Sequence, residues 1–146
     1  MSVAVRTRSH VSALPRLLRP SGEPTSLSAH LAHYGRLPRL RGEADALIAD
    51  VEASGLRGRG GAGFPTHLKL RAVRAGRSPI VVANGVEGEP QSHKDKLLMR
   101  TNPHLVLDGA VAAAAAVGAR QIVIAVGRNA TSATAAFQPC EAKPRR

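Results

Sequence analysis

The chain has 146 residues, 21 Lys and Arg against 10 Asp and Glu, a formal net charge of +11, one Cys and 2% aromatic residues. That length suits a single domain of roughly 100–200 residues, and 43% hydrophobic residues are enough to build a core, which excludes global disorder. The lone cysteine, Cys140, excludes an intramolecular disulfide framework and any cysteine-ligated metal or iron–sulfur site made by these residues alone.

Residues 1–42 read as a flexible Arg- and Pro-rich arm. Seven Arg stand there against one acid, Glu23, and Pro15, Pro20, Pro24 and Pro38 interrupt any periodicity. No apolar core of a secretory signal follows the first arginines. No apolar run approaches the roughly 18–20 residues that cross a bilayer. The expectation is therefore a soluble, cytoplasmic chain without membrane insertion.

In residues 43–54 the apolar positions Ala44, Leu47, Ile48 and Val51 follow i, i+3, i+4, i+7 spacing and predict an amphipathic helix. Acids crowd its first turns, where they complement the helix dipole, and Gly55 is its natural stop. A glycine-dense loop follows over 55–63, and a second helix is predicted from Thr66, as its N-cap, to about Ala75. The β-branched run at 80–83 predicts a buried strand. A polar loop, 84–90, leaves its C-terminal end, and 92–100 predicts a turn or two of helix. Pro103 suits the start of a third helix that stops at Gly118. Its alanine-rich middle allows close packing on a sheet. Gln121–Val126 predicts a second buried strand, and 136–146 a disordered tail.

Strand, helix, strand with both strands apolar throughout implies a right-handed crossover in a parallel sheet. The expected fold class is α/β, a Rossmann-like parallel sheet flanked by helices and incomplete at its C-terminal end. The expected divisions are the arm at 1–42, the α/β domain at 43–135 and the tail at 136–146.

More than half of the charge excess sits in the arm, whereas residues 43–135 carry eleven basic and eight acidic side chains. Arg outnumbers Lys 17 to 4, which fits compositional bias around a nearly balanced domain. The alternative is a basic nucleic-acid-binding module using the arm with Arg57 and Arg59. Such a module needs interleaved aromatic or basic helical faces, and Tyr34, Phe64 and Phe137 are isolated. Nucleic acid is not the expected partner. Of six histidines only His30 and His33 are closely spaced, and they have no acidic or cysteine neighbours, so no metal ligands are assigned. Cys140 has no adjacent His or acid to make it a nucleophile, and no catalytic residue is assigned.

The most informative segment runs Leu56-Arg57-Gly58-Arg59-Gly60-Gly61-Ala62-Gly63-Phe64-Pro65-Thr66. Its glycines leave the backbone amides free to cradle an anion, the following helix adds a positive dipole end, and Lys69 adds a point charge. These features point to a phosphorylated cofactor. The loop follows a helix rather than a strand and lacks a Gly-Lys-Ser/Thr ending, so neither standard phosphate fingerprint fits. A second polar loop, Asn84-Gly-Val-Glu-Gly-Glu-Pro90, leaves the carboxyl end of a strand, where open parallel sheets bind ligands.

Together with Lys94-Asp95 and Pro103-His-Leu-Val-Leu-Asp-Gly109, these segments resemble the FMN-binding domain of the NADH-oxidising flavoprotein of respiratory complex I, the family of 51-kDa or F-type subunits. The resemblance covers roughly residues 43–130. It implies that Gly58, Arg59, Gly60 and Gly61 wrap the FMN phosphate and isoalloxazine edge, and that Lys69 contacts the flavin or the phosphate. Asn84 and Glu87 would hydrogen-bond the flavin's polar edge and ribityl chain, Phe64 would stack on the NADH adenine, and Glu89 would hold the nicotinamide nucleotide. The implied chemistry is hydride transfer from NADH to FMN, then single-electron transfer to an iron–sulfur cluster in partner electron-transfer subunits. No cluster ligands stand on this chain. Val86 replaces the family's usual acid, and His67, Leu70 and Gly127-Arg128-Asn129 also depart from its pattern. Against that family the chain reads as a truncated N-terminal part, expected to bind FMN weakly or not at all, and to be inactive, by itself.

Overall fold

A computed structural model describes residues 17, 23–40, 42–59, 61–88 and 91–127. Its elements in chain order are α1 (Leu27–Tyr34), α2 (Ala44–Ala53), α3 (Thr66–Arg74), β1 (Ile80–Gly85), α4 (Lys94–Thr101), α5 (Pro103–Val117) and β2 (Gln121–Val126). The predicted tail lies outside the described residues.

The two strands pair in parallel, with Ile80 opposite Gln121 and Gly85 opposite Val126. A parallel pair needs a long crossover, and α4 and α5 supply it. Pro103 occupies the first turn of α5, where its missing N–H costs nothing. Gly118, at φ 73°, ends the helix in the left-handed conformation and donates its N–H to the Ala114 carbonyl. The α/β expectation holds, with β2 and α5 at the predicted bounds.

Helix α5 is the centre of the packing. It touches α1, α2, α3, α4 and both strands. Its residues Ala110, Ala114, Ala116 and Val117 are buried together with Ile48 of α2 and Met99 of α4. Met99 sits under the sheet against Val106, Ile124 and Val126. The other face of the sheet departs from the reading of fully buried strands, since Ile80, Val82 and Val123 are exposed there. The described helices that touch the strands are α4 and α5, and they cover the opposite face.

Helix α3 begins one position differently from the sequence expectation. Pro65 holds the N-cap position with extended backbone, and Thr66 is the first helical residue rather than a side-chain cap. The Thr66 N–H is instead taken by the Leu56 carbonyl across the neck of the preceding loop. Helices α2 and α3 are linked on their exposed side by Arg71 to Glu52 and by Arg74 to Asp45.

The segment expected as a flexible arm contains α1, and α1 is docked. Ser26 caps it, accepting from the Ala29 N–H at 3.2 Å. Thr25 donates its N–H to the Thr101 carbonyl and its hydroxyl to Asn102 Oδ1, each at 2.7 Å. Thr25, Thr101 and Asn102 are all buried. These partners lie 76 and 77 positions along the chain, so local composition carries no sign of them.

A cavity of about 170 Å³ remains between α2, α3 and α5, walled by Leu47, Val51 and Leu70 and by Gly109, Ala112 and Ala116. A Cβ on Gly109 meets no atom within 4 Å. Gly109→Ala should therefore stabilise the chain by about 0.5–1 kcal/mol, because it removes unfolded-state freedom inside a helix. Met99→Ala should destabilise it by about 2–5 kcal/mol. Chemical denaturation monitored by circular dichroism measures both, and a midpoint lowered by Gly109→Ala contradicts the packing described for α5.

Candidate functional site

The glycine loop is a closed lasso on the N-terminus of α3. Arg57 and Pro65 form an antiparallel bridge at its neck. Gly58 donates its N–H to the Phe64 carbonyl at 2.9 Å, and Thr66 closes the other side through Leu56 at 3.0 Å. Arg57 turns its guanidinium inward, with Nη1 3.2 Å from the Gly63 carbonyl. This arginine is therefore spent on the loop itself, while Arg59 is exposed at the tip. Gly61 and Gly63 have φ of 94° and 57°, conformations that an L side chain rarely adopts. The glycines are thus required by the backbone path.

The loop delivers the chain to a helix end that suits an anion. No side chain caps α3, and its first turn holds no acid. The positive end of the helix dipole is left uncompensated. Phe64 is 45% exposed beside it. The Lys69 ammonium lies 5.8 Å from the centre of the Phe64 ring, a cation–π distance. Gly58, Phe64 and Lys69 are therefore brought together, with Arg59 and Gly61 at the tip. Gly60 lies outside the described residues.

The second loop leaves β1. Asn84 is exposed, and its Oδ1 accepts the Val86 N–H at 3.0 Å, which turns the chain out of the sheet. Next to it, Gly85 is buried under Met99. A Cβ there would displace the thioether end of Met99 and press on the Ala125 carbonyl, so glycine suits this close approach of backbone to the core. Glu89 lies outside the described residues.

Glu87 has a role that its place in the loop does not announce. Its side chain is only 1% exposed. Its Oε1 accepts the Asp95 N–H at 3.0 Å and the Ser92 hydroxyl at 3.1 Å, so the carboxylate caps the start of α4. Its Oε2 is buried without a hydrogen-bond partner, 3.8 Å from the Lys96 ammonium. Burial pushes the Glu87 pKa up, but the Asp95 N–H, the Ser92 hydroxyl and the charges of Lys96 and Lys94 outweigh it and hold the group below its ordinary value of 4.5.

The two loops remain separate groups. Among the described residues no hydrogen bond joins the glycine lasso to the turn after β1. They are held in one frame because α3 and β1 both pack on α5.

Comparison with known proteins adds an independent finding. Residues 51–146 match the family described as the Nuo51 FMN-binding domain. The F-type subunit of NADH-quinone oxidoreductase in Rhodobacter capsulatus is 48% identical over 83 residues, covering 55% of this chain and 19% of that protein. The second of the F-type subunits of the same enzyme in Rhizobium meliloti (strain 1021) is 39% identical over 113 residues, covering 72% of this chain and 27% of that protein. Among solved structures, an NAD+-reducing NiFe hydrogenase in the H2-reduced state aligns with a TM-score of 0.52 and 41% identity, covering 56% of this chain and 14% of that one. The chain spans about a fifth of the length of the Rhodobacter relative.

The Glu87 geometry carries a pH dependence with a definite sign. Because the folded pKa is depressed, its contribution to stability is present above the ordinary carboxylate value and is lost as the pH falls through the lowered one. Glu87→Gln should lower the melting temperature at neutral pH, and the gap to the unsubstituted chain should shrink on acidification below about pH 4.5. Thermal melts from neutral to acid pH check this, and a gap that is constant with pH contradicts the ionised cap.

Proposed function

The chain belongs to the Nuo51 FMN-binding domain family, and on that premise we propose that it binds FMN between its two loops as part of a flavoprotein that takes electrons from NADH and passes them to iron–sulfur clusters. The observation that carries the reading is the glycine lasso, with two positive-φ glycines, closing on the uncapped, acid-free N-terminus of α3. That arrangement fits a phosphate monoester. Backbone amides supply neutral donors, the helix end supplies a partial positive charge, and two side-chain cations stand nearby.

The amides of Gly60 and Gly61 surround the phosphate and the ring edge, with Arg59 and Lys69 as its counter-charges, whereas the Gly58 N–H is spent on the Phe64 carbonyl at the neck of the loop. Asn84 and Glu87 meet the polar edge and ribityl chain, and the buried Glu87 Oε2 is the carboxylate oxygen with acceptor capacity to spare. Phe64 offers its exposed ring to the adenine of NADH, and Glu89 holds the nicotinamide nucleotide. Bound FMN supplies the step between hydride and single-electron chemistry. The residues of this chain bind it, orient it and neutralise its phosphate.

The 146 residues hold one cysteine, Cys140, so cluster ligands must come from elsewhere. The relatives are named as subunits of NADH-quinone oxidoreductase, and other electron-transfer subunits are the proposed partners.

Flavin fluorescence tests the cofactor site. The full chain should quench FMN weakly but saturably, and should quench riboflavin, which lacks the phosphate, less at the same concentrations. Arg59→Ala and Lys69→Ala should each weaken FMN by roughly tenfold, the worth of a charge-assisted contact, and erase the preference over riboflavin. No quenching at millimolar FMN overturns binding by this chain. Equal binding of FMN and riboflavin overturns the phosphate seat.

A further inference from the structure

We propose that His30, His104 and Asp108 form a proton-sensitive clasp that keeps α1 docked on α5 at neutral pH and releases it when the pH falls. The proposal is independent of the flavin site, since it rests on a cluster formed by α1 and α5.

His30 is the buried residue of α1, at 2% exposure. Its Nε2 lies 2.8 Å from Asp108 Oδ2, and its ring centre lies 5.5 Å from that of His104. Tyr34, one turn further along α1, packs on the same ring at 5.1 Å, and His33 meets the Tyr34 edge at 4.5 Å. Among the described residues the titratable groups facing His30 are Asp108 and His104 from α5 and Tyr34 from its own helix, with His33 behind Tyr34. Asp108 meets the His30 ring, and His104 packs on the same ring from α5, so a charge on His104 would stand against it in a half-buried interface.

The hydrogen bonds that anchor Thr25 do not titrate. Thr25 binds Thr101 and Asn102 through a backbone and a hydroxyl hydrogen bond. These hold the chain immediately before α1, so release of the clasp frees the helix from a fixed point. Burial, followed by the neighbouring His30, pushes the His104 pKa below its ordinary value of 6.5, with Asp108 pulling the other way. A histidine depressed in the docked state takes up its proton more readily when undocked. Docking is therefore complete above the ordinary value and weakens as the pH drops below it.

Amide hydrogen exchange of the full chain tests the clasp at about pH 7.5 and about pH 5.5, on either side of the ordinary histidine value, after correction for intrinsic exchange. Protection over Leu27–Tyr34 should fall by up to roughly tenfold at the lower pH while α5 and β2 keep theirs, as a local opening requires. His104→Gln should keep α1 protected at both. Asp108→Asn should move the release to higher pH. The proposal is overturned if α1 protection does not change in the unsubstituted chain, if it falls only together with α5, if His104→Gln opens to the same extent, or if Asp108→Asn leaves the midpoint where it was.

Discussion

The close packing of α5 is the constraint on which the rest of the structure depends. Its buried positions are Ala110, Ala114, Ala116 and Val117, with Pro103 at its start. Small side chains let neighbouring backbones approach, and every other described element packs against this helix. The arrangement has a functional consequence. The glycine lasso is carried on the end of α3, and the Asn84 turn on the end of β1. Among the described residues neither loop bonds to the other, and their relative placement depends on how closely α3 and β1 seat on α5. Other small residues of α5, Gly109, Ala112 and Ala113, together with Ala116, line the cavity, where the helices do not fully close.

Charge and hydrogen bonding then decide details that apolar packing leaves open. The N-terminus of α4 is compensated by the Glu87 carboxylate and that of α1 by the Ser26 hydroxyl, whereas that of α3 has no side-chain cap. The ends of α1 and α4 are thus satisfied by side chains, whereas that of α3, like that of α5, has neither a side-chain cap nor a first-turn acid, and it is the one the glycine lasso adjoins. The buried polar residues Thr25, Thr101 and Asn102 follow the opposite logic, with Thr25 bonding both Thr101 and Asn102 across the α1 attachment. Burial of such groups is tolerable because they are hydrogen-bonded. In the candidate site, spare bonding capacity at the α3 end is what a charged, hydrogen-bonding cofactor would use.

Much of the fold was legible in local pattern. The apolar spacing from Ala44 to Val51, the Pro103 start and Gly118 stop of α5, and the β-branched run of β2 all depend on neighbours within a few positions. The glycine lasso was legible for the same reason, since a backbone that must take positive φ asks for glycine where it turns. Thr66 was misplaced as a cap because its N–H is claimed by Leu56, which is local in space but depends on the loop closing. Helix α1 was hidden because its stabilising partners lie on α4 and α5, far along the chain. The capping role of Glu87 was hidden because it exists only once α4 begins beside the turn after β1.

The amino-acid sequence by itself determined the α/β alternation, the ends of α5 and the two loops that carry the proposed cofactor contacts, because those properties follow from periodicity and backbone freedom. Only the tertiary structure decided that the α3 end beside the lasso has no side-chain cap, where the Glu87 carboxylate is spent, and that part of a basic, proline-broken arm docks through His30. Those outcomes depend on burial and on charges brought together from distant positions, and their energies do not exist until the chain has folded.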